Sequence, residues 1–365
     1  MTPKGPVSNE RQRLLQARAA LSAALLSPAR TKQSHDFLRL YYAGGGGGAY
    51  GFAQYSALNS KIAPPVIHAV GMGRKIRNGR LTDSPAVRVY VTRKDSLNVL
   101  PASERIPPEI NGVPTDIIEA APARFLGAPG SAPCTGMRTS ACRPVLGGIS
   151  TSHVTGDTGT IACFCQSMLP TDPPPDIFIL SNAHIYAKYG AAQRGDDVLQ
   201  AGVVDGGVAA HRIGGFHRSV PLVFGGASNL VDAAIARLDP PIGYKADICS
   251  IGRVNGTAQA VEDQRVAKHG RTSGYTEGIV DDELIDFIML PDGSTSYIQF
   301  RAQMRLVPDP PTWPVIAQTG DSGSLVVSQD EHQALGLLHA AAIDGSYAYA
   351  NHIADVLKQL DITLL

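Results

Sequence analysis

The stretch "QTGDSGSLVV", residues 318 to 327, decides how the rest of the chain is read. It sets Ser322 between Asp321 and Gly323, with Gly320 one residue further back, and then enters an apolar run. A bland surface turn explains the glycine and the aspartate. It does not explain a serine held by small residues at the mouth of a strand. A serine hydroxyl is a weak nucleophile near neutral pH. It needs a neighbouring base, and the base needs a group to orient it.

The chain holds 10 histidines. His184, in "FILSNAHIYA", is the one that follows an apolar strand pattern directly into a turn. Alone, such a histidine is more often structural than catalytic. Asp232 lies in "SNLVDAAIARL", between apolar residues on a strand-like segment, with Asp239 and Asp247 as more exposed alternatives. The three together change the reading. Their chain order is His184, Asp232, Ser322, and the segments around them resemble the three boxes of the trypsin-like serine proteases. "SNAHI" resembles the histidine box, "LVDAAIARL" the aspartate box "D-I-A-L-L", and "GDSGSLVV" the nucleophile box "G-D-S-G-G-P-L-V". The resemblance covers roughly residues 144 to 365. Within the family, the chain is most similar in style to cytosolic bacterial trypsin-like proteins and the plant narrow-leaf proteases. That subgroup resemblance rests on "GDSGSL", "NLVDAAIARL" and the α/β segment before them.

The resemblance implies a mostly β protein: two packed six-stranded antiparallel β-barrels, preceded by a small α/β domain and an N-terminal helix. It implies a serine endopeptidase working through an acyl-enzyme. Ser322 would be the nucleophile, His184 the general base and then acid, and Asp232 the orienting acid. The amides of Gly320 and Ser322 would bind the oxyanion. The specificity pocket would involve Ile316 at its base, Thr319 just before the nucleophile, and His339 and Ala341 on the "ALGLLHAAAIDG" strand. An apolar Ile316 predicts no strong preference for Lys or Arg. His339 is either a reader of polar or acidic side chains or a satisfied core histidine. Lys268 and Arg271, in "AKHGRTSGYTEG", read as loop or surface residues. Many family members need cleavage to create an N-terminus that pairs with the aspartate before the serine, here Asp321. Pro144 after Arg143 disfavours such a cut, so Asp321 is expected to pair with an internal group. Two readings from other classes stay open: a catalytically idle protease fold serving as an interaction scaffold, and an esterase using the same triad.

Bulk properties agree with a soluble, turn-rich β protein. The 365 residues suit two or three units. Apolar residues are 44% and charged residues 18%, which is enough for a sizeable core. Lys+Arg and Asp+Glu are both 32, so no global field points to nucleic acid or an anionic membrane. No 18-residue apolar run offers a spanning helix, and the start does not read as a secretory signal. The odd count of 5 cysteines fits reduced thiols and a cytoplasmic location. Cys163 and Cys165, two apart in a strand pattern, share one face. A Cys134–Cys142 bridge is a minor alternative. Cys and His spacing gives no zinc pattern, and no metal or cofactor is expected. The partner is a protein or peptide substrate.

Five segments are expected: an N-terminal helical segment (1–43), a Gly-rich linker (44–64), a small α/β domain (65–120), a connector (121–143) and the protease domain (144–365). The first carries helical spacing over 8–30, with Ser8 as cap. Its apolar side could dock on the body or form a homo-oligomer. Gly44 to Gly48 form the linker. From "TGTIACFCQ" to "ALGLLHAA" short strand patterns recur between turn residues, and "NHIADVLKQL" reads as a closing helix.

Overall fold

The computed structural model of the chain describes residues 9–27, 30, 66–77, 80–125, 138–172, 174–291, 294, 296–310 and 312–365. Ser8, the Gly44–Gly48 linker, Cys134 and most of the 121–143 connector lie outside the described residues. The chain divides into two units. One holds residues 1–122, 224–227 and 284–301, and the other holds 123–223, 228–283 and 302–365. Residues 224–227 and 284–301, which the sequence places in the protease domain, thus group with the N-terminal segment.

In the first unit, the strands Ile67–Arg77 and Arg80–Val91 form an antiparallel pair, and Val113–Glu119 runs parallel to the second. The residues between them include the short 3-10 turn Ala102–Glu104. Val70 pairs with Asp286, so the strand that contains residues 284–289 extends the same sheet. The helix Asn9–Leu25 buries Ala17 and Leu21, four apart on one face, against Val70, Val87 and Val89. Arg18 Nη1 and Ser22 Oγ donate to the two carboxylate oxygens of Asp286 at 2.8 and 2.5 Å. The apolar side of this helix is therefore occupied by its own chain.

The second unit contains two β-barrels. In the first, the antiparallel ladder runs through Ser150–His153, Asp197–Leu199, Arg212–Ser219, Ala234–Leu238, Phe178–Ser181 and Cys163–Ser167. The ring closes because Thr158–Thr160, paired with Ser150–His153, continues through residues 161 and 162 into Cys163–Ser167. Ile161 N–H donates to Ile149 O and Ala162 N–H to Leu180 O, both at 2.9 Å, so the bent segment joins both neighbours. In the second barrel the order is Arg265–Gly270, Leu325–Ser328, Ala334–Ala341, Ala348–His352, then residues 302–308 of the strand Ile298–Pro308 and residues 274–283 of the strand Gly274–Met289. The last pairs back with the first. Six strands per ring is the expected count.

Val, Ile, Leu and Ala fill both barrels. Fully burying one Val, Leu or Ile side chain stabilises by about 1.5–3 kcal/mol. Cys163 and Cys165 lie in the same core cluster, as their spacing predicts. Cys142, Cys163, Cys165 and Cys249 are thiols. The closing helix is Ile353–Leu360, with Ile353, Val356 and Leu360 buried. It starts two residues later than its pattern suggests, because Asn351 and His352 finish a strand. The patterns also miss Ser150–His153 and Asp197–Leu199, which are too short to show alternation.

Candidate active site

Strand register brings the histidine and the aspartate together. Ser181 pairs with Ala234 in an antiparallel ladder, so the residues after 181 run beside those before 234. Asn182 stays extended, and Ala183–Tyr186 then makes one helical turn that carries His184. Asp232 is not on the strand, as its pattern suggests, but in the segment just before Ala234–Leu238. His184 Nδ1 lies 2.5 Å from Asp232 Oδ2, and His184 N–H donates to Asp232 Oδ1 at 3.1 Å. Asn182 Nδ2 donates to Asp232 O at 2.8 Å, and Asp232 N–H donates to Asn351 Oδ1 at 3.0 Å. The carboxylate and imidazole are both buried. Burial alone would raise the Asp232 carboxyl. The adjacent His184 ring and its hydrogen bonds outweigh that and hold it below the usual carboxylate range. An ionised Asp232 favours the tautomer that carries its proton on His184 Nδ1.

Ser322 sits in a turn that needs glycine on both sides. Gly320 has φ +100° and Gly323 φ +94°, in the left-handed region. A Cβ on Gly323 would also meet Thr160 O and Ser181 Oγ. Gly323 N–H donates to Leu338 O at 2.8 Å. Among the described residues, no carbonyl or side chain accepts from the amides of Gly320 or Ser322. That is the condition for two donors to converge on a substrate oxygen. The Ser322 hydroxyl donates to His339 O at 3.2 Å. The turn and the histidine helix both border Gly159. A Cβ there would stand 2.7 Å from Ser322 O and 2.8 Å from the Ile185 side chain.

Asp321, the residue before the serine, is buried and accepts from five donors. Thr272 N–H and Ser273 N–H reach Oδ1 at 2.8 and 3.0 Å. Gln318 N–H, Ser273 Oγ and Lys268 Nζ reach Oδ2 at 2.9, 2.5 and 3.0 Å. Burial would raise this carboxyl, but Lys268, Ser273 and the Gln318 amide hold it below the usual range. Lys268 is the internal group that the sequence left unnamed. The reading of Lys268 and Arg271 as loop or surface residues is corrected as to exposure: both are buried, Lys268 on the strand Arg265–Gly270 and Arg271 in the turn that follows it. Arg271 pairs with Asp205 through Nε at 2.8 Å and also through Nη2. The partners lie 53 and 66 residues away in sequence, beyond the reach of any local pattern.

The four residues expected to line the pocket have different surroundings. Ile316 and Ala341 are buried in the core of the second barrel. Ile316 N–H donates to Gly345 O at 3.0 Å. Thr319 is half-buried. His339 is buried, with Nε2 3.0 Å from Gln303 Oε1. Asn351 Nδ2 donates to the same oxygen at 2.6 Å, and Gln303 Nε2 donates to Leu230 O at 2.8 Å. Gln303 Oε1 is thus an acceptor, and His339 Nε2 carries the proton. Burial pushes His339 down to about 3, so its ring is neutral and offers no positive charge to an acidic side chain.

Sequence reasoning missed Gln303 and Asn351. Their signal is a polar residue interrupting the apolar patterns "IQFRAQMRLV" and "YAYANHI". It also missed Tyr189, at φ 57°, whose ring stacks near His184 with centroids 6.0 Å apart. Among the described residues, no cluster of three or more His, Cys, Asp or Glu suits a metal ion. Nor is any described helix long and apolar enough to cross a membrane.

No curated protein matches the chain in sequence. Among solved structures, a Nocardiopsis protease is 18% identical, with 60% of this chain and 98% of that one covered and a TM-score of 0.43. A Cellulomonas bogoriensis chymotrypsin is 17% identical over 60% and 98%, with a TM-score of 0.41. A glutamic acid specific serine protease is 15% identical over 60% and 100%, with a TM-score of 0.44. Residues 54–118 match the Narrow leaf 1 N-terminal domain family.

Proposed function

We propose that the chain is a serine endopeptidase using Ser322, His184 and Asp232. The observation that carries this reading is the buried His184–Asp232 hydrogen bond beside a Ser322 turn in which the amides of Gly320 and Ser322 donate to no described protein group. Ser322 Oγ attacks a peptide carbonyl. His184 Nε2 takes its proton and returns it to the leaving amine, while Asp232 stabilises the imidazolium. Gly320 and Ser322 N–H hold the oxyanion. In the resting arrangement the hydroxyl points to His339 O. The cycle therefore begins with a change of the Ser322 rotamer toward the imidazole. Catalytic hydrogen bonds in unliganded enzymes commonly tighten only when substrate binds.

Neither the buried, apolar Ile316 nor the neutral His339 offers a charge to a substrate side chain. The contacts of Asp321 with Lys268 and the neighbouring amides support a site that needs no activating cut. A fluorophosphonate probe tests the reading. Ser322 in the wild-type protein should be labelled covalently, and Ser322→Ala should not. A wild-type protein that resists the probe would leave the idle scaffold as the better account. Turnover of a p-nitrophenyl ester without cleavage of any peptide library would favour the esterase.

A further inference from the structure

We infer that Thr160 is a positioning residue that sets the direction of both oxyanion-binding amides, an inference that rests on the protease reading above. Thr160 is fully buried at the end of Thr158–Thr160 in the first barrel. It touches both ends of the nucleophile turn with different atoms. Its N–H donates to Ser322 O at 2.7 Å, and its Oγ1 donates to Gly320 O at 2.9 Å. The same Oγ1 accepts from Arg271 N–H at 2.9 Å. That bond directs the hydroxyl proton at Gly320 O, since the lone pair facing Arg271 is taken. Thr160 O accepts from Ser181 Oγ at 2.8 Å, which ties the residue to the strand leading to His184.

The consequence follows from peptide planarity. Gly320 O belongs to the peptide that joins Gly320 to Asp321, and Asp321 N–H on its other side donates to Gln318 O at 2.9 Å. Both polar atoms of that plane are therefore fixed, so its orientation is fixed. The planes carrying Gly320 N–H and Ser322 N–H adjoin it, at Gly320 and at Asp321. Gly320 has φ +100° and no side chain to resist rotation, so only such external bonds hold it. The Thr160 N–H bond to Ser322 O anchors the turn just after the nucleophile. Without the hydroxyl, the carbonyl side of the Gly320–Asp321 peptide loses its bond and only the Asp321 N–H bond to Gln318 O still holds the plane, so the plane is held less firmly and the two donors converge less well on one point. Preorganised donors act because they need no reorientation as charge develops.

The test compares Thr160→Val, which keeps the shape and removes the hydroxyl, with Thr160→Ser, which keeps the hydroxyl. The readouts are kcat and KM for p-nitrophenyl butyrate and inhibition by phenylboronic acid, whose tetrahedral adduct places an oxygen in the oxyanion site. Thr160→Val should lose about tenfold or more in kcat, with KM within about twofold of wild type. That loss is below the 100- to 1000-fold typical of deleting an oxyanion donor outright. The boronate inhibition constant should rise in parallel, and Thr160→Ser should stay close to wild type. A general packing defect would not separate kcat from KM, would not track the boronate, and would not be rescued by Ser. If Thr160→Val fails to fold, Thr160→Ala carries the same expectation. Unchanged kcat and boronate inhibition in a hydroxyl-free variant would overturn the inference while the protease reading stands. A wild-type protein inert to fluorophosphonate would overturn both.

Discussion

Asp232 shows how much one buried side chain decides at the scale of the residue. It is fully buried, yet its carboxyl is held below the usual range, because the adjacent His184 supplies two hydrogen bonds and a favourable electrostatic interaction that outweigh the cost of burial. Asp232→Asn would keep the shape and lose the negative charge. The amide could donate to His184 Nδ1, which would move the ring proton to Nε2 and destroy the base. We expect Asp232→Asn to fold and to lose about 10,000-fold in kcat, measured as p-nitrophenyl ester hydrolysis with circular dichroism as the control for folding. A variant within tenfold of wild type would mean that Asp232 does not orient the base. The identities of His184, Asp232 and Ser322 were legible in the sequence because each sits in a short, recognisable local setting. Gln303 and Asn351 were not, since their roles exist only through bonds to His339 and Asp232 from other strands.

At the scale of the element, the decisive object is the pair of segments 268–274 and 318–324. They meet around the Asp321 carboxylate, and its five donors leave no place for a new chain terminus. Removing one member of a buried ion pair leaves the other charge without compensation, at a cost of about 3–5 kcal/mol. We therefore expect Lys268→Met to lower stability by that order in denaturant melts. Activity should also fall, because the Ser322 turn is held through Asp321. Active wild-type protein should have the mass of the uncut chain. A required cut near residue 144, or a fully active Lys268→Met, would contradict this account. Strand patterns located both segments, but the ion pair joins residues 53 apart, so only the barrel's closure put them together.

The whole molecule carries a pH signature set by its buried histidines. Burial pushes His269 down to about 4 and His339 down to about 3. Both depressed values lie below that of an exposed histidine, about 6.5. The unfolded chain therefore binds more protons than the folded one below that point. Their stabilising contribution is complete above pH 6.5 and is lost as pH falls toward the folded values. Over that window each histidine contributes a slope of about 1.4 kcal/mol per pH unit. We expect thermal stability to decline from pH 6.5 to 4. The decline should be shallower in His269→Gln, whatever that variant's stability at pH 8. A melting temperature flat across this range would show that the histidines are not buried as described.

The sequence by itself determined the mostly β architecture, the small α/β segment, the apolar face of the first helix, and the three residues proposed for the chemistry. Those features are written in local periodicity, turn residues and short boxes, which survive being read a few residues at a time. Only the tertiary structure decided that Lys268 is the cation beside Asp321, that His339 is neutral, that residues 284–301 group with the N-terminal unit, and that Thr160 hydrogen-bonds to both ends of the Ser322 turn. Each of these depends on which distant strands close a barrel. Burial and hydrogen bonding then set charge and direction, and neither is a property of a residue's neighbours in sequence.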